Sequence, residues 1–245
     1  VSLEPRPARL PDFLAEPDGD DDVRTPRLTG SAAWRLAADA IAEFGPIRLL
    51  EIAMAGRPAE GSVHARLHDA MDVLDRLLTL PAGVTAGMDR GRGDVPEHLA
   101  ALRGAMAVEL RGDDGWCATL ACTDTAPIWS RRVTATGDAG RFVLDDGGFT
   151  RWDPDGRRVE HLRVGDADDG DDATRPADPA TDEDPGTAAI VETIARPAGD
   201  PVDRLSRDRR IRLYALCEAA RLASRTGERE SPGRLIGVFG HVTDG

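Results

Sequence analysis

The sequence predicts an α+β fold: an open, mostly antiparallel β-sheet with helices packed on one face. Three features carry this expectation. Apolar residues recur at helical spacing over 31–45, 62–79 and 206–227. Between residues 84 and 160 the period changes to two. The turn-forming quartets GDDG, GDAG, DDGG and DPDG separate those period-two runs, as in a meander of antiparallel strands. Helices followed by a block of strands give α+β, not an alternating α/β order.

Taken in order, residues 1–30 are rich in Pro and Asp, with VSL as a possible short strand and DGDDD (18–22) as a solvated loop. Ser31 is placed to cap the helix SAAWRLAADAIAEFG, whose Trp34, Ala37, Ala38, Ile41 and Phe44 share a face and whose Gly45 suits its end. IRLLEIAMAG (47–56) reads as an apolar strand. GSVHARLHDAMDVLDRLLTLPAGV (61–84) reads as a helix over 62–79, with Val63, Leu67, Met71, Leu74 and Leu78 as its buried stripe. Strands are expected at 84–88, 103–112, 116–124, 129–137 and 140–146, and DPDG leads on into RRVEHLRV. GDADDGDDATRPADPATDEDPG (165–186) holds nine acids against one arginine and predicts a disordered acidic loop. TAAIVETIA predicts a short helix, and SRDRRIRLYALCEAARLASRTG a long one between Ser206 and Gly227. RLIGVFGHV predicts an edge strand.

Composition excludes some partners. The formal net charge is −13, and all 31 basic residues are arginine. Such a surface repels phosphate backbones and anionic lipid, so neither nucleic acid nor membrane is an expected partner. No apolar run approaches the ~18 residues of a membrane span. The N-terminus lacks a basic stretch followed by an apolar one, so no signal peptide is expected and the location is read as cytoplasmic. Cys117, Cys122 and Cys217 have no metal-like spacing and read as buried reduced thiols, with Cys117 and Cys122 on opposite faces of one strand.

Three stretches resemble the C-terminal domain of the glucose-fructose oxidoreductase / inositol dehydrogenase (Gfo/Idh/MocA) family. AADAIAEFGPIRLLEIAM resembles that family's helix, turn and first sheet strand. GSVHARLHDAMDVLDRLLTLPAGVTAGM resembles its glycine-opened helix and following strand, and CEAARLASRTGE its closing helix. VTATGDAGRFVLDD fits its hairpin. The resemblance covers roughly 31–160 and 187–230. It implies a domain over 31–245 and a remnant of the Rossmann half and linker over 1–30. It also implies NAD(P)-dependent oxidation of a sugar or polyol hydroxyl once a Rossmann half is present. No G-x-G-x-x-G between strand and helix is found, so this chain alone is expected to bind no dinucleotide. VSLEPRP resembles the family's E-K-P segment, with Glu4 matching and Pro5 and Arg6 standing in place of Lys-Pro. Arginine cannot replace that lysine as a proton donor, and Arg6 is expected to contact substrate instead. The family also implies assembly through the open sheet face, hence a homodimer or tetramer. The rival reading is a binding or assembly module that keeps the fold and has lost the chemistry.

The helix 62–79 carries the candidate site. The family's D-x-x-x-H-x-x-D, laid on without a gap, puts Ala65, Asp69 and Asp72 at its three polar positions. On a helical wheel at ~100° per residue, His64, Asp75, His68 and Asp72 follow one edge of the apolar stripe, and Asp69 lies ~100° beyond His68, away from it. Three readings stand together. The row faces substrate, with His68, Asp69 and Asp72 as catalytic candidates and His64 as a binding residue. Alternatively His64, His68 and Asp72 hold a metal, or all are boundary residues beside the sheet. The preferred expectation is a shallow pocket edged by His64, His68 and Asp72 that holds no metal, because no fourth ligand is identifiable. Trp116, Trp129 and Trp152 read as fillers of the sheet face, with sugar stacking as the alternative.

Overall fold

The computed structural model of the chain describes residues 27–89, 94–165 and 206–241. Expectations for Glu4, Pro5 and Arg6, for the strand VSL, for the loop 165–186 beyond Gly165 and for the helix TAAIVETIA lie outside them.

Eight strands form one sheet in the order β2-β3-β4-β1-β5-β6-β7-β8. They are β1 Ile47–Ala55, β2 Gly83–Asp89, β3 Ala105–Arg111, β4 Cys117–Thr123, β5 Ser130–Gly137, β6 Gly140–Asp145, β7 Gly148–Trp152 and β8 Arg158–Arg163. Among the described strands only β1 and β4 run parallel; every other neighbouring pair is antiparallel. The fold is therefore the expected α+β sheet, with one strand more than expected: Gly148–Trp152 sits between two turns only a few residues apart. Gly140 opens β6 at φ +114° in the expected GDAG hairpin, a conformation costly for any side chain.

The helices are α1 Ala32–Ala42, α2 Val63–Leu77, α3 Arg207–Thr226 and α4 Pro232–His241. Their starts follow from serine caps. Ser31 Oγ accepts the Trp34 N–H at 3.1 Å, Ser62 Oγ that of Ala65 at 3.2 Å and Ser206 Oγ that of Arg209 at 3.3 Å. α3 ends on Gly227 in the left-handed conformation. The expected edge strand RLIGVFGHV is α4 instead. Pro232 suits a first helical turn, and Leu235 and Phe239, four apart, reach one side. Phe239 meets Tyr214 of α3 at 5.0 Å, and Leu235 packs on the core.

Three of the described helices cover one face of the sheet. α1 lies on β6–β8, α2 on β1 and β4, and α3 on β2 and against α2. Leu50, Ile52 and Met54 of β1 point into the core while Glu51 and Ala53 are exposed. Leu67, Met71 and Leu74 of α2 are fully buried, each contributing ~1.5–3 kcal/mol. Leu78, past the helix end, is only half-buried.

Val108, Leu110, Leu120 and Val133 all face the helices and are at most 1% exposed. None of these four side chains therefore contributes to the open face. Across it the register aligns Thr85, Glu109, Thr119 and Glu51, and beside them Ala107, Ala121 and Ala53. Cys117 is exposed on this face, so only Cys122 and Cys217 are buried thiols. Glu230 pairs with Val84 and covers part of the β2 edge. No helix among the described residues is long and apolar enough to cross a membrane.

Candidate functional site

The row read as the edge of a cleft is the α2–α3 interface. Asp72 has no exposed surface. Its oxygens take the Thr29 hydroxyl at 2.5 Å and Arg209 Nη2 of α3 at 2.7 Å, with Arg76 Nε at 3.8 Å and Arg27 Nη1 at 4.0 Å. Asp75 pairs with Arg209 and Arg212 at 3.3 and 3.2 Å. His64 and His68 are half-buried and meet edge to face at 6.5 Å. Burial lowers the His64 pKa, and Glu218 of α3 works against that. The expected pocket edged by His64, His68 and Asp72 is thus replaced at Asp72 by a closed ion-pair lattice. The arginines of α3 are the reason: a helical wheel of one helix does not show what packs against it. Among the described residues no group of three or more His, Cys, Asp or Glu is arranged to hold a metal.

Asp69 takes another direction. The wheel put it away from the buried stripe, yet it is 9% exposed. Residues 28–30, a short 3-10 turn, and Arg131 of β5 cover that side of α2. Oδ1 accepts the Leu28 N–H at 2.9 Å, and Oδ2 faces Arg131 Nη1 at 3.4 Å. Arg131 gives its stronger bonds to Asp146, from Nε at 2.9 Å and Nη2 at 2.5 Å. One guanidinium thus serves two carboxylates. Burial pushes the Asp69 carboxyl up to about 6, against the pull of Arg131 and the Leu28 amide. A carboxylate offers about four lone-pair sites, and these contacts use two. Of its side chain 12% still reaches solvent. Asp69 can accept a hydroxyl and exchange a proton near neutral pH.

Around Asp69 lie residues that no motif named. Arg66 of α2, 3% exposed, donates to the carbonyls of Gly61 and Arg57 at 2.5 and 2.9 Å. The Arg66 and Arg131 guanidiniums each stand 5.4 Å from the ring centre of Trp129. Asp124, 2% exposed, holds the Gly104 N–H at 2.7 Å through Oδ1. Two signals were present in the sequence. Arg131 shares the inward parity of Val133 and Ala135, and Arg66 interrupts the apolar stripe between Val63 and Ala70. The other tryptophans serve structure: Trp116 is buried and bonds Thr79 at 2.9 Å, and Trp152 lies under Arg141.

The turn from β1 into α2 does not fit a dinucleotide pyrophosphate. A short 3-10 helix, Pro58–Glu60, fills it, and the Glu60 carboxylate already accepts the Arg57 N–H at 2.7 Å. An acid there opposes phosphate.

Three solved structures share this fold. Levoglucosan dehydrogenase in complex with NADH and levoglucosan superposes with a TM-score of 0.56 at 16% identity, over 85% of this chain and 64% of that one. UDP-N-acetylglucosamine 3-dehydrogenase GnnA from Acidithiobacillus ferrooxidans gives 0.53 at 16% identity, over 78% and 58%. WlbA dehydrogenase from Bordetella pertussis, in complex with NADH and UDP-GlcNAcA, gives 0.51 at 16% identity, over 84% and 61%. The chain has the Gfo/Idh/MocA-type fold. It spans less than two thirds of the length of each of these dehydrogenases. No family model and no curated protein matches the sequence. At this identity the likeness concerns the path of the chain, and the chemistry rests on the side chains described above.

Proposed function

We propose that this chain is the substrate-side and assembly half of a Gfo/Idh/MocA-like, NAD(P)-dependent oxidoreductase acting on a sugar or polyol, and that it is not catalytic alone. The observation that carries this reading is Asp69. It stands where the resemblance puts the histidine of the family's D-x-x-x-H-x-x-D, with a carboxyl raised to about 6 and acceptor capacity to spare. In this reading Asp69 accepts the hydroxyl proton of the substrate, Arg6 is a further substrate contact, and His64 and His68 stay in the α2–α3 interface. The dinucleotide, which would take the hydride, is held by other residues than those described. The chains pair through the open sheet face, whose alanines and threonines leave it flat enough for face-to-face contact. Calorimetric titration tests this: neutral sugars, inositols and UDP-sugars, then NADH. Saturable sugar binding without saturable NADH binding is expected; micromolar NADH binding would contradict the division of labour.

A second reading, a module that keeps the fold without the chemistry, is favoured by Asp72. A carboxylate enclosed by three arginines and a hydroxyl serves to fasten residues 27–29 and α3 to α2. Absence of binding across the whole sugar panel would favour this reading.

A further inference from the structure

Trp129 lies in the loop between β4 and β5, beyond the end of β1 where the Asp69 cluster begins. Its ring leans on Gly56. A Cβ at Gly56 would fall 2.9 Å from Trp129 Cε3, 2.6 Å from Arg66 Nη2 and 2.7 Å from Glu60 Oε2. Three different side chains therefore converge over one bare backbone position. Trp129 itself is half-buried, and Ile128 beside it is 68% exposed. Two buried polar atoms nearby have no hydrogen-bond partner: Arg66 Nε and Asp124 Oδ2. Asp124 acts electrostatically on Arg66, so the two belong to one neighbourhood. Buried polar atoms are nearly always satisfied, and a closed-off donor and acceptor in one neighbourhood mark a place for an enclosed water.

Charge selects among ligands. Glu60, Asp69, Asp124 and Asp146 supply four carboxylates, against Arg57, Arg66 and Arg131. Arg66 is committed to backbone carbonyls and Arg131 to Asp146. A phosphate would meet a net negative cluster whose cations are already engaged. A neutral ring with a C–H face and hydroxyl edges meets none of these penalties.

Resting on the reading of Asp69 as the hydroxyl-facing group, we propose that Trp129 is the platform on which a neutral pyranose or cyclitol lies, with the Asp69 and Glu60 carboxylates addressing its hydroxyls, and that nucleoside-diphosphate sugars are excluded. Tryptophan fluorescence of the full chain tests this, with levoglucosan, myo-inositol and UDP-N-acetylglucosamine as probes. A saturable change is expected with a neutral probe and none with the nucleotide sugar. Trp129→Ala should weaken the neutral sugar roughly tenfold, measured by calorimetry, and Trp129→Phe should restore most of it. If Trp129→Ala does not fold, Trp129→Leu keeps the apolar volume without the π face, and the same loss is expected. Tighter binding of the UDP-sugar, or undiminished binding by Trp129→Ala or Trp129→Leu, overturns the platform while leaving the oxidoreductase reading in place. Absence of binding by every sugar overturns both.

Discussion

Asp69 and Asp72 lie three residues apart on α2, and their surroundings give them different work. Asp72 is enclosed by cations and a hydroxyl, so removing it strands them. The three arginines keep 20–29% of their side chains in solvent, which softens the loss. Asp72→Ala is expected to destabilise by about 3 kcal/mol in urea unfolding, and Asp72→Asn by less because it still accepts from Thr29. Asp69 is a question of protons. Its carboxyl titrates near 3.8 when unfolded and at about 6 when folded. The folded state thus binds more protons across that window. The contribution of Asp69 to stability is greatest at low pH, falls as pH rises to about 6 and is constant above. Urea midpoints from about pH 4 to about pH 7 should show wild type losing stability relative to Asp69→Asn. A relative gain would mean that the Arg131 pair outweighs burial.

At the scale of elements, packing follows the apolar stripe and the glycines. Leu74, with no exposed surface, should cost ~2–5 kcal/mol as Leu74→Ala. A Cβ at Gly140 would meet the Trp152 carbonyl oxygen at 2.2 Å, at a φ that side chains avoid. Gly140→Ala should therefore lower the melting temperature and loosen the β6–β7 register, read by amide exchange. The helices and most strands were legible because their periodicity is local. α2 was legible as a helix, but the partners of its polar row were not. Arg209 and Arg212 lie about 137 residues away in sequence and meet Asp72 and Asp75 only through the tertiary fold. The same holds for Asp69 and Arg131. The α4 segment is ambiguous in sequence because its run of Leu, Ile, Val and Phe suits a strand as well as a helix, and contact with Tyr214 decides between them.

For the whole molecule, the sheet separates a helix-covered face from an open one whose centre carries Thr85, Thr119, Glu51 and Glu109 beside Ala53, Ala107 and Ala121. Light scattering at micromolar concentration should give a dimer or larger, and Ala121→Arg, in the middle of that face, should reduce it to the monomer. A monomeric wild type would remove the assembly role from the open face. The substrate role rests on the other face, at the strand ends beside α2, and on Asp69 above all. Its most direct test is the affinity of a neutral sugar for wild type and for Asp69→Asn, measured by calorimetry from pH 5 to about pH 8. An ionised carboxylate accepts a hydroxyl better than a protonated one, so wild-type affinity should rise through about 6 and level off, while the variant stays weak and flat. An identical pH profile in both proteins, or no sugar binding by either, would contradict the assignment.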